Sequence, residues 1–263
     1  MRNLKRTLSL ALASVMLVGM MSVGASAVNA SDFTDADEIV NKDAVSTMTA
    51  LGIINGKEDG SYFDPTGNVT RAEMAKMLCV AINGGVDPVL GVKDTPTFTD
   101  IKGTWAESYI EYCAANGIIA GRGNNKFDPT GTVSATEAAK MLLGVLGYSA
   151  EKSGLVGNDW AINTNVLANQ NGLYKKLANL NANTLLTRDN AAQMIYNALD
   201  ANMVELNAAG NYTTSQYSYT GTESVVTGTE RVWVLTIKEN NCTDSGIKAA
   251  VDALSGSVYN SRS

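Results

Sequence analysis

An arginine in the first turn of a helix sits against the helix dipole, at a cost of up to about 1 kcal/mol. Arg71 is in that place in "VTRAEMAKML" at 69–78. Thr70 and Glu73 form a capping box that starts the helix. Met74, Met77 and Leu78 then share one face at helical spacing. A cation beside unpaired backbone N–H groups is chemistry for an anion such as a carboxylate. The alternative is a solvated arginine paired with a nearby acid, Glu73 here or Asp189 at the similar position Arg188.

Repetition separates the two needs of that helix start. "FDPTGNVTRAEMAKML" at 63–78 recurs as "FDPTGTVSATEAAKML" at 127–142. "FTD" at 33–35 recurs at 98–100, and "LGIING" at 51–56 recurs as "NGIIAG" at 116–121. A more worn third copy pairs "WAESYIEYCAANGI" from Trp105 with "WAINTNVLANQNGL" from Trp160, and "VSATEAAKM" from Val133 with "LTRDNAAQM" from Leu186. It lacks both "FTD" and "FDPTG". The cap residue persists as Thr70, Ser134 and Thr187, as folding requires. The arginine is present in copies one and three and is Ala135 in copy two, so the fold does not require it in every copy.

The elements that must position these residues follow from local chemistry. Residues 38–51 carry Ile39, Val45, Met48 and Leu51 at near-helical spacing, and Gly52 follows where a helix end favours a left-handed residue. "DPTG" reads as a type I turn. Each copy is therefore helix, turn-rich loop, capped helix. Such short helices are marginal alone and must pack on one another. The tail "NYTTSQYSYTGTESVVTGTERVWVLTIKENN" is rich in Thr, Val and Tyr, as strands are, and "GIKAAVDAL" reads as a short helix.

The totals exclude several functions. The 263 residues hold 20 Lys and Arg against 26 Asp and Glu, a net charge of −6. Nucleic-acid binding, which needs basic patches, is disfavoured. With no histidine, the commonest general base, metal ligand and pH switch near neutrality are missing. No carboxylate pair sits in a distinctive motif, so the chain reads as a non-enzyme. "NGKEDGSYFD" superficially suggests a calcium loop, but Lys57 takes a ligand position and Thr66 stands where the closing glutamate belongs. Nothing implies a cofactor or metal. Cys79, Cys113 and Cys242 are too few and odd in number for a disulfide framework, and Cys79 and Cys113 read as buried thiols. "MRNLKR", an uncharged apolar run and the "ASA" and "VNA" sites ending at Ala27 and Ala30 read as a secretory signal peptide.

"FTD…GIING…FDPTGNVTRAEMAKML", its second copy and "TRDNAAQMIYNAL" resemble the S-layer homology (SLH) family over about 170 residues. The resemblance implies a mainly α fold of three helix-loop-helix repeats about a pseudo-threefold axis, with a central three-helix bundle. The division is then a signal peptide at 1–30, repeats at 31–92, 93–152 and 153–202, the last divergent, and a β-leaning appendage at 203–263. It implies non-covalent anchoring of a secreted protein to the bacterial cell wall or surface layer. The implied partner is a pyruvylated secondary cell-wall polysaccharide or peptidoglycan-linked glycan, held in grooves between repeats. Other expectations are a self-assembling surface-layer subunit, with self-association through the tail, or the anchor of a larger surface protein or enzyme. No nucleic acid is implied as partner, nor a membrane once the signal is cleaved.

By the same resemblance, Arg71 and Arg188 bond the ligand carboxylate. Asp35 and Asp100 accept its hydroxyls, Trp105 and Trp160 offer a flat face to a sugar ring, and Gly56 and Gly121 open the backbone to it. On their own residue types the tryptophans could equally be core, and the aspartates helix caps. Val40 replaces the tryptophan in repeat one, Ala135 the arginine in repeat two, and repeat three lacks the aspartate, so one or two competent grooves are expected.

Overall fold

The computed structural model describes residues 29–57, 59–177, 180, 183–214, 217–226 and 230–239. The signal-peptide reading of 1–30, except for its last two residues, lies outside them, as do Cys242 and the helix read at 246–254. The fold is mainly helical. Its six α-helices among the described residues are α1 (Lys42–Ala50), α2 (Arg71–Ile82), α3 (Glu107–Ala115), α4 (Ala135–Val145), α5 (Trp160–Gln170) and α6 (Arg188–Leu199). None of these helices is long and apolar enough to cross a membrane.

Local signals explain both ends of these helices. Thr70, Ser134 and Thr187 cap α2, α4 and α6 by accepting the backbone N–H of Glu73, Glu137 and Asn190. The other three helices, α1, α3 and α5, end alike. Gly52, Gly117 and Gly172 adopt φ of +69°, +71° and +71°, and Ile53, Ile118 and Leu173 donate back to Met48, Cys113 and Ala168 at 2.9 Å. This is the hydrogen-bonded glycine stop of the Schellman motif. α1 is shorter than its apolar pattern suggests. Residues 36–38 form a 3₁₀ turn and Ile39 is extended, and its buried side chain joins the core from outside the helix.

The helices pair across repeats. α2 packs on α3, α4 on α5, and α6 returns to α1. Each capped helix thus carries the first helix of the following repeat, the last closing on the first. The cap segments meet in a ring: Val69 N donates to Leu186 O, Leu186 N to Val133 O, and Val133 N to Val69 O, at 2.8–3.0 Å. Phe63 and Phe127, Met48, Met74, Ile110, Leu142 and Leu173 are fully buried in one continuous core. Each such side chain stabilises the fold by about 1.5–3 kcal/mol.

The strand-like composition after residue 202 is matched by two antiparallel pairs. β1 (Val204–Leu206) pairs with β2 (Tyr212–Thr214), and β3 (Tyr217–Val226) with β4 (Glu230–Glu239). The first hairpin is seated on the helices. Val204 N donates to Leu146 O at 2.8 Å, and the Tyr212 hydroxyl accepts from Ser149 N at 2.9 Å. Tyr212 also stacks against Tyr148 at 5.0 Å.

Candidate functional site

The predicted site residues are distributed by seam rather than by repeat. At the seam of repeats one and two, α2 brings Arg71 to the loop of repeat two. Arg71 Nε donates to Phe127 O at 2.8 Å and Nη2 to Ala120 O at 2.7 Å. Its guanidinium lies 4.3 Å from the centroid of the Phe127 ring, and Nη1 is 3.5 Å from Glu137. Asp100 closes the same loop, accepting the N–H of Phe127 and of Asp128, both at 2.8 Å. Burial works against ionisation of Asp100, but these two donors outweigh it and hold the carboxyl below its usual range. A side chain on Gly121 would strike Lys126 O and the Phe98 ring.

The seam of repeats three and one repeats this geometry. Arg188 Nε donates to Phe63 O and Nη2 to Asn55 O, both at 2.8 Å, with the guanidinium 5.0 Å from the Phe63 ring centroid. Asp35 accepts from Phe63 N at 2.9 Å and Asp64 N at 2.7 Å. A side chain on Gly56 would meet the Gly60 carbonyl.

Three expectations change. First, Arg71 and Arg188 are not exposed beside their helix starts. They are 3% and 5% accessible and tie one repeat to the next through backbone carbonyls. Burial lowers the guanidinium pKa of both, though neither loses its proton in any ordinary range. Second, the acids named as alternative partners are engaged elsewhere. Glu73 accepts from Thr70 N, and Asp189 accepts from Asn41 N and Nδ2. Third, Asp35 stands at the N-cap of the 3₁₀ turn but spends its carboxylate on Phe63 N and Asp64 N, as Asp100 does on the equivalent loop, and the room at Gly56 and Gly121 is taken by their own loops.

The tryptophans part company. Trp105, 60% exposed, stands just before α3, the helix that packs on α2, with its ring 6.3 Å from that of Tyr109. Trp160 is half-buried at the seam of repeats two and three, with Lys140 Nζ 5.1 Å from its ring centroid. That seam has no arginine: Ala135 is 1% exposed and donates only its backbone N–H, to Thr184 O at 2.9 Å. At the seam of repeats three and one the tryptophan position is Val40, 83% exposed. The full set of arginine, aspartate, glycine and tryptophan therefore falls at one seam.

Two further cations belong to these seams. Arg122 bonds Glu137 at 2.8 Å and 2.9 Å, Asp128 at 2.6 Å and Thr132 O at 2.9 Å, while its side chain stays 36% exposed. Lys57 takes the equivalent place and pairs with Asp64. A cation directly after the glycine in "GIIAGR" and "GIINGK" was the sequence signal for both. At the two seams with an arginine the protein thus presents an accessible cation, paired with its own carboxylates, beside a buried guanidinium.

Comparison with known proteins fits this arrangement. Residues 32–75 and 97–139 match the family described as S-layer homology domain. An S-layer protein of Bacillus licheniformis is 30% identical over 113 residues, 43% of this chain and 12% of the relative. An exoglucanase of Acetivibrio thermocellus is 28% identical over 156 residues, 56% of the chain and 14% of the relative. A cell surface protein of Thermoanaerobacter kivui is 28% identical over 207 residues, 78% of the chain and 26% of the relative. The chain thus spans about a quarter or less of the length of these relatives.

Proposed function

We propose that this chain is a cell-surface anchoring module that holds a secreted protein to the bacterial cell wall without covalent attachment. It binds an acidic, pyruvylated secondary cell-wall polysaccharide and is not itself an enzyme. The observation that carries the reading is the seam of repeats one and two. There an accessible Arg122, a buried Arg71, Asp100 and the open face of Trp105 lie along one junction of two matched repeats. Arg122 and the Nη1 edge of Arg71 supply charge for a carboxylate. Trp105 supplies a flat apolar face for a sugar ring. Arg188, Lys57, Asp35 and Gly56 belong to a second groove lacking the tryptophan, and Trp160 marks a third lacking the arginine.

The ring of cap segments and the cyclic helix pairing support three repeats about a pseudo-threefold axis, with α2, α4 and α6 at the centre. Residues 153–202 are read as the third repeat and 1–30 as a signal peptide. The greater length of the relatives favours an anchor that serves a larger surface protein or lattice. The test is calorimetric titration with purified wall polysaccharide, before and after chemical removal of pyruvate. Binding should fall at least tenfold on that removal, and again in Arg122→Ala. Equal binding of the two glycans would sink the carboxylate reading.

A further inference from the structure

Cys79 on α2 and Cys113 on α3 face each other across the seam of repeats one and two. Their sulfurs are 3.4 Å apart, and the residues are 1% and 0% exposed. Each thiol also turns toward a carbonyl of the opposite helix, Cys79 toward Tyr109 at 3.5 Å and Cys113 toward Ala75 at 3.7 Å. No other side-chain pair joins these helices through sulfur among the described residues. A bonded pair needs about 2.05 Å between sulfurs, so the two must close by little more than 1 Å.

We propose that Cys79 and Cys113 form an oxidation site, a dithiol converted outside the cell to an intrachain disulfide that joins repeat one to repeat two. The proposal rests on the surface location argued above for its oxidising surroundings. The oxidant is a disulfide, either a low-molecular-weight one or that of a thiol oxidoreductase. One cysteine thiolate attacks it, expelling one thiolate and leaving a mixed disulfide. The second cysteine thiolate then attacks the chain sulfur of that intermediate and expels the other. Two protons and two electrons leave the protein, one S–S bond forms in it, and the oxidant ends as two thiols.

Burial sets the timing. The Cys113 thiol is pushed well up by its bond with Cys79 and by desolvation, so the folded pair offers little thiolate. The bond therefore forms as α2 and α3 dock, before solvent is excluded. It then ties the C-terminal half of α2 to α3, eight residues beyond Arg71. A link that closes residues 80–112 removes chain entropy from the unfolded state.

The test refolds the full chain in a buffer of oxidised and reduced glutathione. The product is then unfolded in guanidinium with iodoacetamide and no reductant, and digested with trypsin. The expected product joins Met77–Lys93 to Gly103–Arg122, two hydrogens lighter than their sum, with Cys242 alkylated in Glu239–Lys248. Melting should rise by roughly 5–15 °C over the reduced chain, and Cys79→Ala should abolish both the link and the rise. Alkylation of both Cys79 and Cys113, or a link from either to Cys242, overturns the geometry. The same digest is run on chain stripped from cell walls. A link in the refolded chain that is missing from wall-derived chain overturns the proposal through its oxidant alone. Absence of the chain from the wall fraction speaks instead against the surface location.

Discussion

The seams of repeats one and two and of repeats two and three are built from helices with the same cap and similar sequence, yet they are held differently. In the first, a guanidinium crosses the junction, bonding two carbonyls and lying against a phenylalanine ring. In the second, a buried methyl group takes the place of the guanidinium, and backbone bonds from Ala135 to Thr184 O and from Leu186 to Val133 O, with the Thr136 hydroxyl on Asn165, cross the junction. An arginine is tolerated at the start of a buried helix only where the neighbouring repeat supplies acceptors. The "FDPTG" turn and the "GI-x-x-G" loop provide those acceptors, and repeat three has lost the turn. Ala135 and the missing "FDPTG" are then two sides of one change.

Exchanging residues between these seams should break the comparison most sharply. Ala135→Arg places a cation at a 1%-exposed position with no cradle, and should destabilise by about 3–5 kcal/mol, as an unpaired buried charge does. Chemical denaturation would measure it; a loss below about 1 kcal/mol would show that the cradle is not what selects arginine. Arg71→Ala is the reverse test. It leaves the carbonyls of Phe127 and Ala120 without their donor and should cost about 2–4 kcal/mol. The dipole contribution alone has the opposite sign, since it would make removal of Arg71 slightly stabilising.

Asp100→Asn comes next, at about 1–2 kcal/mol, because an amide cannot accept at both ends the N–H groups of Phe127 and Asp128. Its pH dependence has a defined sign. The folded-state pKa of Asp100 is depressed, so its contribution is present above the unfolded value near 3.9 and is lost as pH falls through the lower folded value. Melting of Asp100→Asn should therefore converge on that of the native chain as acid is added below about pH 4. Convergence at neutral pH would contradict the assignment.

The smallest effects sharpen the contrast between stability and binding. Thr70→Ala and Ser134→Ala should each cost about 1 kcal/mol, the same at an arginine seam and at an alanine seam, because each removes only a cap. Arg122→Ala, whose ion pairs are partly solvated, should cost less than about 1 kcal/mol of stability while weakening glycan binding. A variant that loses stability in proportion to affinity would make Arg122 a structural residue and not a binding one.

The sequence by itself determined the helices, their caps, their glycine stops and the turn between them. Each depends on residues within about four positions of one another, where backbone chemistry is local. It also marked the polar residues that matter, because repetition exposes what the fold alone does not require. Only the tertiary structure decided which of them meet. Arg71 of repeat one meets the loop of Asp100 and Gly121 in repeat two, and Arg188 meets the loop of Asp35 and Gly56 in repeat one. The site is built between repeats, from side chains 49 to 133 residues apart in the bonds of the two arginines. A pattern within one copy carries no information about the next copy's carbonyls. Nor could dipole reasoning foresee that those carbonyls would bury each guanidinium, because their acceptor bonds outweigh the unfavourable helix end only once the ring of repeats has closed.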